Sequence, residues 1–153
     1  LGADDSTFKV LSNGEYAKDK DNVFYQGRPI VGADADSFVL LKGGPYANDK
    51  NRVYLLDTII VEADPTSFKQ IEYPYARDKK SIYCGTLRMN VKNAEEFEVI
   101  QAGHGYIMAT KDSFIERNKE YSYLKDQPVE DVIYAFGGKA KTKTEYFEGC
   151  KVK

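Results

Sequence analysis

The feature that most constrains this chain is that it repeats itself. The stretch "YAKDKDNVFYQG", from Tyr16 to Gly27, returns as "YANDKNRVYLLD" from Tyr46 to Asp57 and as "YARDKKSIYCGT" from Tyr75 to Thr86. Phe8, Phe38, Phe68 and Phe97 are separated by 30, 30 and 29 residues, and Tyr16, Tyr46, Tyr75 and Tyr106 follow them at nearly constant distance. Val23, Val53 and Ile82 each stand four residues beyond the Asp of Asp19-Lys20, Asp49-Lys50 and Asp78-Lys79, and Ile30, Ile60 and Met89 lie seven residues further on. A unit of about 30 residues cannot bury its own apolar face, so the copies are expected to stack and cover one another.

Within a copy the apolar spacing has a period near two, as in "FKVL" and "VFYQGRPI", and the segments between turn signals are short. That pattern predicts strands. Asn13-Gly14 reads as a tight hairpin turn with positive φ at both residues. Gly43-Gly44, Pro74 and "AGHG" (Ala102 to Gly105) mark the same turn in the later copies. "DKDN" reads as a second turn, with its Asp accepting a hydrogen bond from backbone two residues on. In the connector "GADADSF", Asp34 and Ser37 suit one capped helical turn, after which Phe38 drops into the core.

The last third departs from the pattern. "YLKDQPVEDVIYAFGG" keeps the Tyr-x-x-Asp spacing at Tyr123 and Asp126 and reads as a stretched copy of the hairpin. Before it, "ATKDSFIERNKEYS" reads as an insertion with a short helix near 111–120. An irregular polar end is what a stack needs to close its exposed edge.

Composition narrows the function classes. A chain of 153 residues fits one domain with a real core. Lys plus Arg at 22 against Asp plus Glu at 24 leaves no stripe for nucleic acid or anionic membrane. The one basic cluster, "KAKTK" at Lys139 to Lys143, reads as a solvated turn or edge strand. No apolar run is long enough to span a bilayer. The opening "LGADDSTF" copies "VGADADSF" at Val31 to Phe38, so the chain opens inside a repeat, and upstream sequence with any targeting segment is expected to have been removed. Cys84 and Cys150 allow one disulfide or two free thiols. Cys84 takes the slot of Tyr25 and Leu55, which suits a buried small hydrophobe better than a reactive thiol.

The segments "DKDNVFY", "DKNRVYL" and "DKKSIYC", with the connector Gly32-Ala33-Asp34, resemble the DKNYY family, named for its Asp-Lys-Asn-Tyr-Tyr signature. The likeness covers residues 1 to 100 best, and the second aromatic of the signature is kept only at Tyr25, with Leu55 and Cys84 in its place elsewhere. The resemblance implies a bacterial repeat protein, often exported, and carries over no functional residue.

Candidate chemistry is sparse. Asp19 and Asp21 have the first spacing of a calcium loop, but Val23 holds the third ligand position and Ile30 stands where the bidentate Glu belongs. His104 is the only histidine and falls on a hairpin turn, with no second ligand written for zinc. The neighbours Glu95-Glu96 and Glu130-Asp131 would point to opposite faces of a strand, which gives no acid–base pair. No cofactor and no metal is implied. Phe24, Tyr54 and Tyr83 adjoin the aliphatic set and face the other way in a regular strand. If the aliphatic set faces the core, these rings form an outer ladder suited to stacking on a glycan or packing a protein partner. If both faces are covered, they are core.

The reading is therefore an all-β fold of short antiparallel strands, a single repeat domain over 1–153 with copies at about 1–32, 33–62, 63–92 and a divergent 93–153. Two functions compete. One is a non-catalytic scaffold or binding module of the bacterial cell envelope or exterior, which predicts equivalent features in each copy. The other is an enzyme with one asymmetric site in the divergent third, around His104 and the segment from Glu116 to Asp131.

Overall fold

The computed structural model describes residues 2–43, 45–103 and 138–153. Over those residues the chain forms four antiparallel four-stranded sheets. The first holds β1 (Lys9–Val10), β2 (Tyr16–Lys18), β3 (Val23–Tyr25) and β4 (Arg28–Pro29). The second holds β5 (Val39–Leu40), β6 (Tyr46–Asn48), β7 (Val53–Leu55) and β8 (Thr58–Ile59). The third holds β9 (Lys69–Gln70), β10 (Tyr75–Arg77), β11 (Ile82–Cys84) and β12 (Leu87–Met89). The fourth holds β13 (Glu98–Gln101), β14 (Lys139–Lys141), β15 (Tyr146–Glu148) and β16 (Lys151–Val152). Each sheet is a meander whose strands pair in chain order, so one repeat is one sheet. The connectors are single helical turns, and in the fourth copy a short 3-10 helix, Ala94–Glu96. The helix expected near 111–120 lies outside the described residues. No helix among them is long and apolar enough to cross a membrane.

Two compact units divide the chain, residues 1–66 and 67–153. The first contains sheets one and two, the second sheets three and four. Strands of two to four residues hold few ladder bonds, so each sheet depends on covering both faces. The central strands β3, β7 and β11 are buried at all three positions. Val23 and Val53 face one side, while Phe24 and Tyr54 face the other, where the connector phenylalanines Phe8 and Phe38 lie over them at ring-centre distances of 6.0 and 5.7 Å. In the second unit one core runs through both sheets, joining Tyr75, Ile82, Cys84 and Met89 to Phe97, Ala140 and Phe147.

Turn chemistry differs from the sequence reading in one respect. The loop after β1 is wider than a two-residue hairpin: the Leu11 and Gly14 amides donate to the Tyr16 and Leu11 carbonyls, and only Gly14 has positive φ, at 74°. Asn13 acts through its side chain, whose Oδ1 accepts from the Glu15 and Tyr16 amides. The tight primed turn is instead Gln26-Gly27, between the paired Tyr25 and Arg28, with φ of 47° and 78°. Leu56, Gly85 and Gly149 repeat the first of those angles at 56°, 59° and 56°. Neither Gln26 nor Leu56 advertises a left-handed backbone, which is why the turn is hidden in the sequence.

The fourth copy also needs correction. Its sheet is completed by residues 139–152, which supply β14 to β16, and the stretched copy read from Tyr123 lies outside the described residues but for Gly138. "KAKTK" is not an edge strand: Lys139–Lys141 is β14, which pairs with β13 on one side and β15 on the other, with Ala140 fully buried, while Thr142 and the exposed Lys143 enter the turn that follows. The match was masked because Thr142 replaces the signature Asp. Gly138 enters β14 at φ 106°, where a Cβ would lie 3.0 Å from the Pro74 ring and 3.2 Å from the Tyr75 hydroxyl, so only glycine fits.

Candidate functional site

The most elaborated chemistry of the chain is what the sequence repeats, the Asp-Lys pair after β2, β6 and β10. Asp19, Asp49 and Asp78 are buried carboxylates. In each, Oδ1 closes the turn by accepting two backbone amides: Asp21 and Asn22 at 2.8 and 2.6 Å, Asn51 and Arg52 at 2.8 Å each, Lys80 and Ser81 at 2.8 Å each. The second oxygen reaches back to the connector that opens the repeat. Asp19 Oδ2 accepts the Asp4 amide and Asp49 Oδ2 the Asp34 amide, both at 2.9 Å. Where the strand partner is tyrosine, its hydroxyl joins the same oxygen, Tyr54 on Asp49 at 2.7 Å and Tyr83 on Asp78 at 2.9 Å. Phe24 leaves that bond unmade in the first copy.

The lysine of the pair fastens the connector from outside. The Lys20, Lys50 and Lys79 amides donate to the hydroxyls of Thr7, Ser37 and Ser67 at 3.0, 2.9 and 3.0 Å. Lys20 Nζ lies 3.2 Å from Asp4 and Lys50 Nζ 3.1 Å from Asp34. These connector carboxylates cap their own turns, Asp4 on the Ser6 hydroxyl and amide, Asp34 on those of Ser37. In the fourth copy Thr142 Oγ1 accepts the Thr144 and Glu145 amides at 3.3 and 3.1 Å, so one hydroxyl closes the turn that a carboxylate closes elsewhere. The link to the connector passes to Glu145, which accepts the Lys92 amide at 2.8 Å.

The tyrosine three residues before the aspartate ties one sheet to the next. Tyr16 packs on Phe38 at 5.5 Å and donates its hydroxyl to the Leu56 carbonyl at 2.7 Å. Tyr75 packs on Phe97 at 5.4 Å and donates to the Gly149 carbonyl at 2.7 Å, the same pair of contacts in the second unit. One residue before the aspartate, Lys18 Nζ donates to the Ala35 and Phe38 carbonyls at 2.7 and 3.3 Å, and Asn48 donates to the Pro65 carbonyl at 2.7 Å.

The model of the DKNYY family matches residues 1–58 and 46–152, two overlapping stretches that together take in nearly the whole chain. The chain belongs to the DKNYY family. No curated protein and no solved structure matches it.

In this DKNYY chain the signature is thus a list of framework parts: Asp the hub, Lys the outer clasp, the first Tyr a donor to the hub, with the tyrosine three residues before the Asp as the tie between sheets. The signature side chains described above are turned onto protein donors and acceptors. Phe24, Tyr54 and Tyr83, read from the sequence as a ligand ladder, are 6%, 0% and 1% exposed. The outer face expected for them is covered by the connector phenylalanines, Phe68 lying 5.5 Å from Tyr83, so the rings offer no face to a glycan in solution. His104 and the segment from Glu116 to Asp131 lie outside the described residues. Cys84 and Cys150 form a disulfide that joins the end of β11 to the turn after β15. Cys84 is fully buried, as its slot implied, but as a cystine half. The sequence left that pairing open because nothing in a spacing of 66 residues places two sheets side by side.

Electrostatics follow from these bonds. The Asp4 amide, with those of Asp21 and Asn22, outweighs burial and holds the Asp19 carboxyl below its ordinary range. Burial pushes Asp49 upward, yet the Asp34 amide, the Tyr54 hydroxyl and the turn amides together bring it below that range. Burial raises the Tyr16, Tyr54 and Tyr75 phenols, and burial with the Asp78 carboxylate beside it pushes Tyr83 up to about 12. A phenol whose folded pKa is raised contributes stability that is complete below about 10, the unfolded value, and is lost as pH climbs toward the folded one. Ultraviolet difference absorbance should therefore show two classes of tyrosine. Exposed rings ionise first, and these four ionise only together with the loss of β circular dichroism. Ionisation of all twelve tyrosines in one step with the fold intact would contradict this.

The tie itself is testable. Tyr16→Phe keeps the ring and strands the Leu56 carbonyl, whose residue is 5% exposed. An unsatisfied buried acceptor costs about 1–3 kcal/mol. A urea midpoint equal to that of the parent would show that water replaces the hydroxyl.

Proposed function

We propose that this chain is a non-catalytic repeat module, a scaffold or binding surface, of a bacterial exported or cell-envelope protein. The observation that carries the reading is the use made of the repeated stretch that holds the signature. A catalytic or metal-binding array keeps oxygens or rings free for its ligand, whereas Asp19, Asp49, Tyr16 and Tyr54 give their polar atoms to the chain's own backbone and side chains. The Cys84–Cys150 disulfide supports residence outside the cytoplasm, since such bonds persist in oxidising compartments and are rare where thiol reductants act. A glycan or protein partner would meet the outer surface of the sheets, not the three buried rings.

The reading is tested by fractionating cells that make the natural protein and trapping thiols with an alkylating agent before lysis. The protein is expected in the envelope or exterior fraction with both cysteines refractory to alkylation. A cytoplasmic protein with two alkylated cysteines would sink the proposal.

A further inference from the structure

One face of the first sheet is open where its counterparts are closed. Phe8 is 44% exposed, against 1% for Phe38 and 8% for Phe97. Ala17 is half-buried, while Ala47 and Ala140 are fully buried. Gln26 is exposed, while Leu56 and Gly149 are buried. Val10 is 61% exposed, while Leu40 and Val99 at the same position are half-buried. All four residues lie where, one sheet later, a preceding tyrosine hairpin sits: Tyr16 on Phe38 and the Leu56 carbonyl, Tyr75 on Phe97 and the Gly149 carbonyl.

We propose that this face of the first sheet, Phe8, Val10, Ala17 and Gln26, is a docking surface for a further hairpin repeat of the same kind. The two internal interfaces specify its chemistry. A tyrosine ring would cover Phe8 and its hydroxyl would donate to the Gln26 carbonyl, the counterpart of the Leu56 carbonyl. An amine or amide two residues beyond that tyrosine, as in Lys18 and Asn48, would donate to the Asp5 and Phe8 carbonyls, the counterparts of those of Ala35 and Phe38. The fourth sheet of a second copy does not meet this description, because β14 carries Lys139 at the tyrosine's register position. The occupant is a repeat that retains the tyrosine. This inference deepens the scaffold reading and rests on it only for purpose, since a repeat could dock on an enzyme equally well.

The test extends the full chain by fusing a second copy of residues 31–60 ahead of Leu1, which preserves the spacing because Leu1 then follows Ile60 as Val61 does. The added repeat is expected to gain protection from proteolysis and amide exchange. Phe8→Ala, which removes a half-exposed ring from the parent, is expected to lower Tm by roughly twofold more in the extended chain, where the ring is buried. Replacing the added tyrosine, the copy of Tyr46, by lysine in imitation of Lys139 should abolish the added protection. An added segment that stays exchange-labile, or an equal Phe8→Ala effect in both chains, overturns the proposal. So does head-to-tail association of the unextended chain, seen by sedimentation and abolished by Phe8→Ala, which would assign the face to a second copy. None of these outcomes bears on the cell-fractionation test of the scaffold reading.

Discussion

Breaking the Cys84–Cys150 disulfide is expected to lower the stability of the second unit by about 4 kcal/mol, the loop-closure value for a cross-link of this span, taken over its sequence separation of 66. The bond matters for a reason specific to this chain. The fourth sheet is interrupted between β13 and β14 by the segment from Ala102 to Gly138, so pairing those strands must close a long loop that the other sheets do not contain. Closure cost grows with loop length. A cross-link from β11 to the turn after β15 already confines both ends of the interruption in the unfolded chain, which offsets much of that cost. Cys84 is packed among Tyr75, Ile82, Phe97 and Phe147, so a substitution there adds a packing defect of its own. Cys150→Ala, at a half-buried position, is the cleaner variant, with reduction of the parent as the second route. Both should shift the urea midpoint of β9 to β16 as read by amide exchange. The amides of residues 4–43, in a unit without cysteine, should keep their protection. A reduced protein as stable as the oxidised one would mean that the unfolded chain holds these segments together unaided.

How much of this was legible depended on whether a residue's role is local. The sheet period, the short strands, the connector turn and the hub turn could be read because each is set by neighbours in sequence: an aspartate that caps the amides two and three residues ahead advertises itself as Asp-Lys-Asp-Asn. The burial of Phe24, Tyr54 and Tyr83 could not. Alternation shows that their faces oppose those of Val23, Val53 and Ile82, but what covers the far face is a connector phenylalanine sixteen or fifteen residues earlier, as Phe8 covers Phe24 and Phe68 covers Tyr83. The second half of the fourth copy was illegible for a chemical reason. Thr142 closes its turn with a hydroxyl, and Glu145 takes over the connector bond, so the function of the aspartate is conserved while its letter is not. The signal that would have found it is "AKTKTEYFEGCKV" laid under "ARDKKSIYCGTLR", where alanine, lysine, the aromatic and glycine still coincide.

Asp49→Ala is expected to be the most damaging single substitution in the first unit, at about 3 kcal/mol or more, because hydrogen bonds to a charged group contribute about 1.5–3 kcal/mol each and four donors, the buried Tyr54 hydroxyl among them, lose their acceptor. Its carboxylate accepts from Asn51, Arg52, Asp34 and Tyr54, and the residue is 3% exposed. The two oxygens can be separated by choice of replacement. Asp49→Thr imitates Thr142, keeping an acceptor for the turn amides while releasing the Asp34 amide and Tyr54. Asp49→Asn keeps the geometry but sets an N–H donor against the Asp34 amide. Both should fall between parent and alanine. Equality of Asn with the parent would show that the connector bond contributes nothing. The acid limb supplies an independent check. Asp49 titrates below its ordinary range when folded, so its contribution is present above about pH 4 and is lost as pH falls through the folded value. Asp4, Asp19 and Asp34 are depressed as well, Asp19 first by the Asp4 amide and the other two first by their serine hydroxyls, so the parent should lose stability over the same interval. Asp49→Ala should lose less than the parent there, and the difference between their acid slopes measures the hub free of any change in packing. Parallel slopes would mean that the substitution acts through shape alone, and that the charge on the repeated aspartate is incidental to the fold.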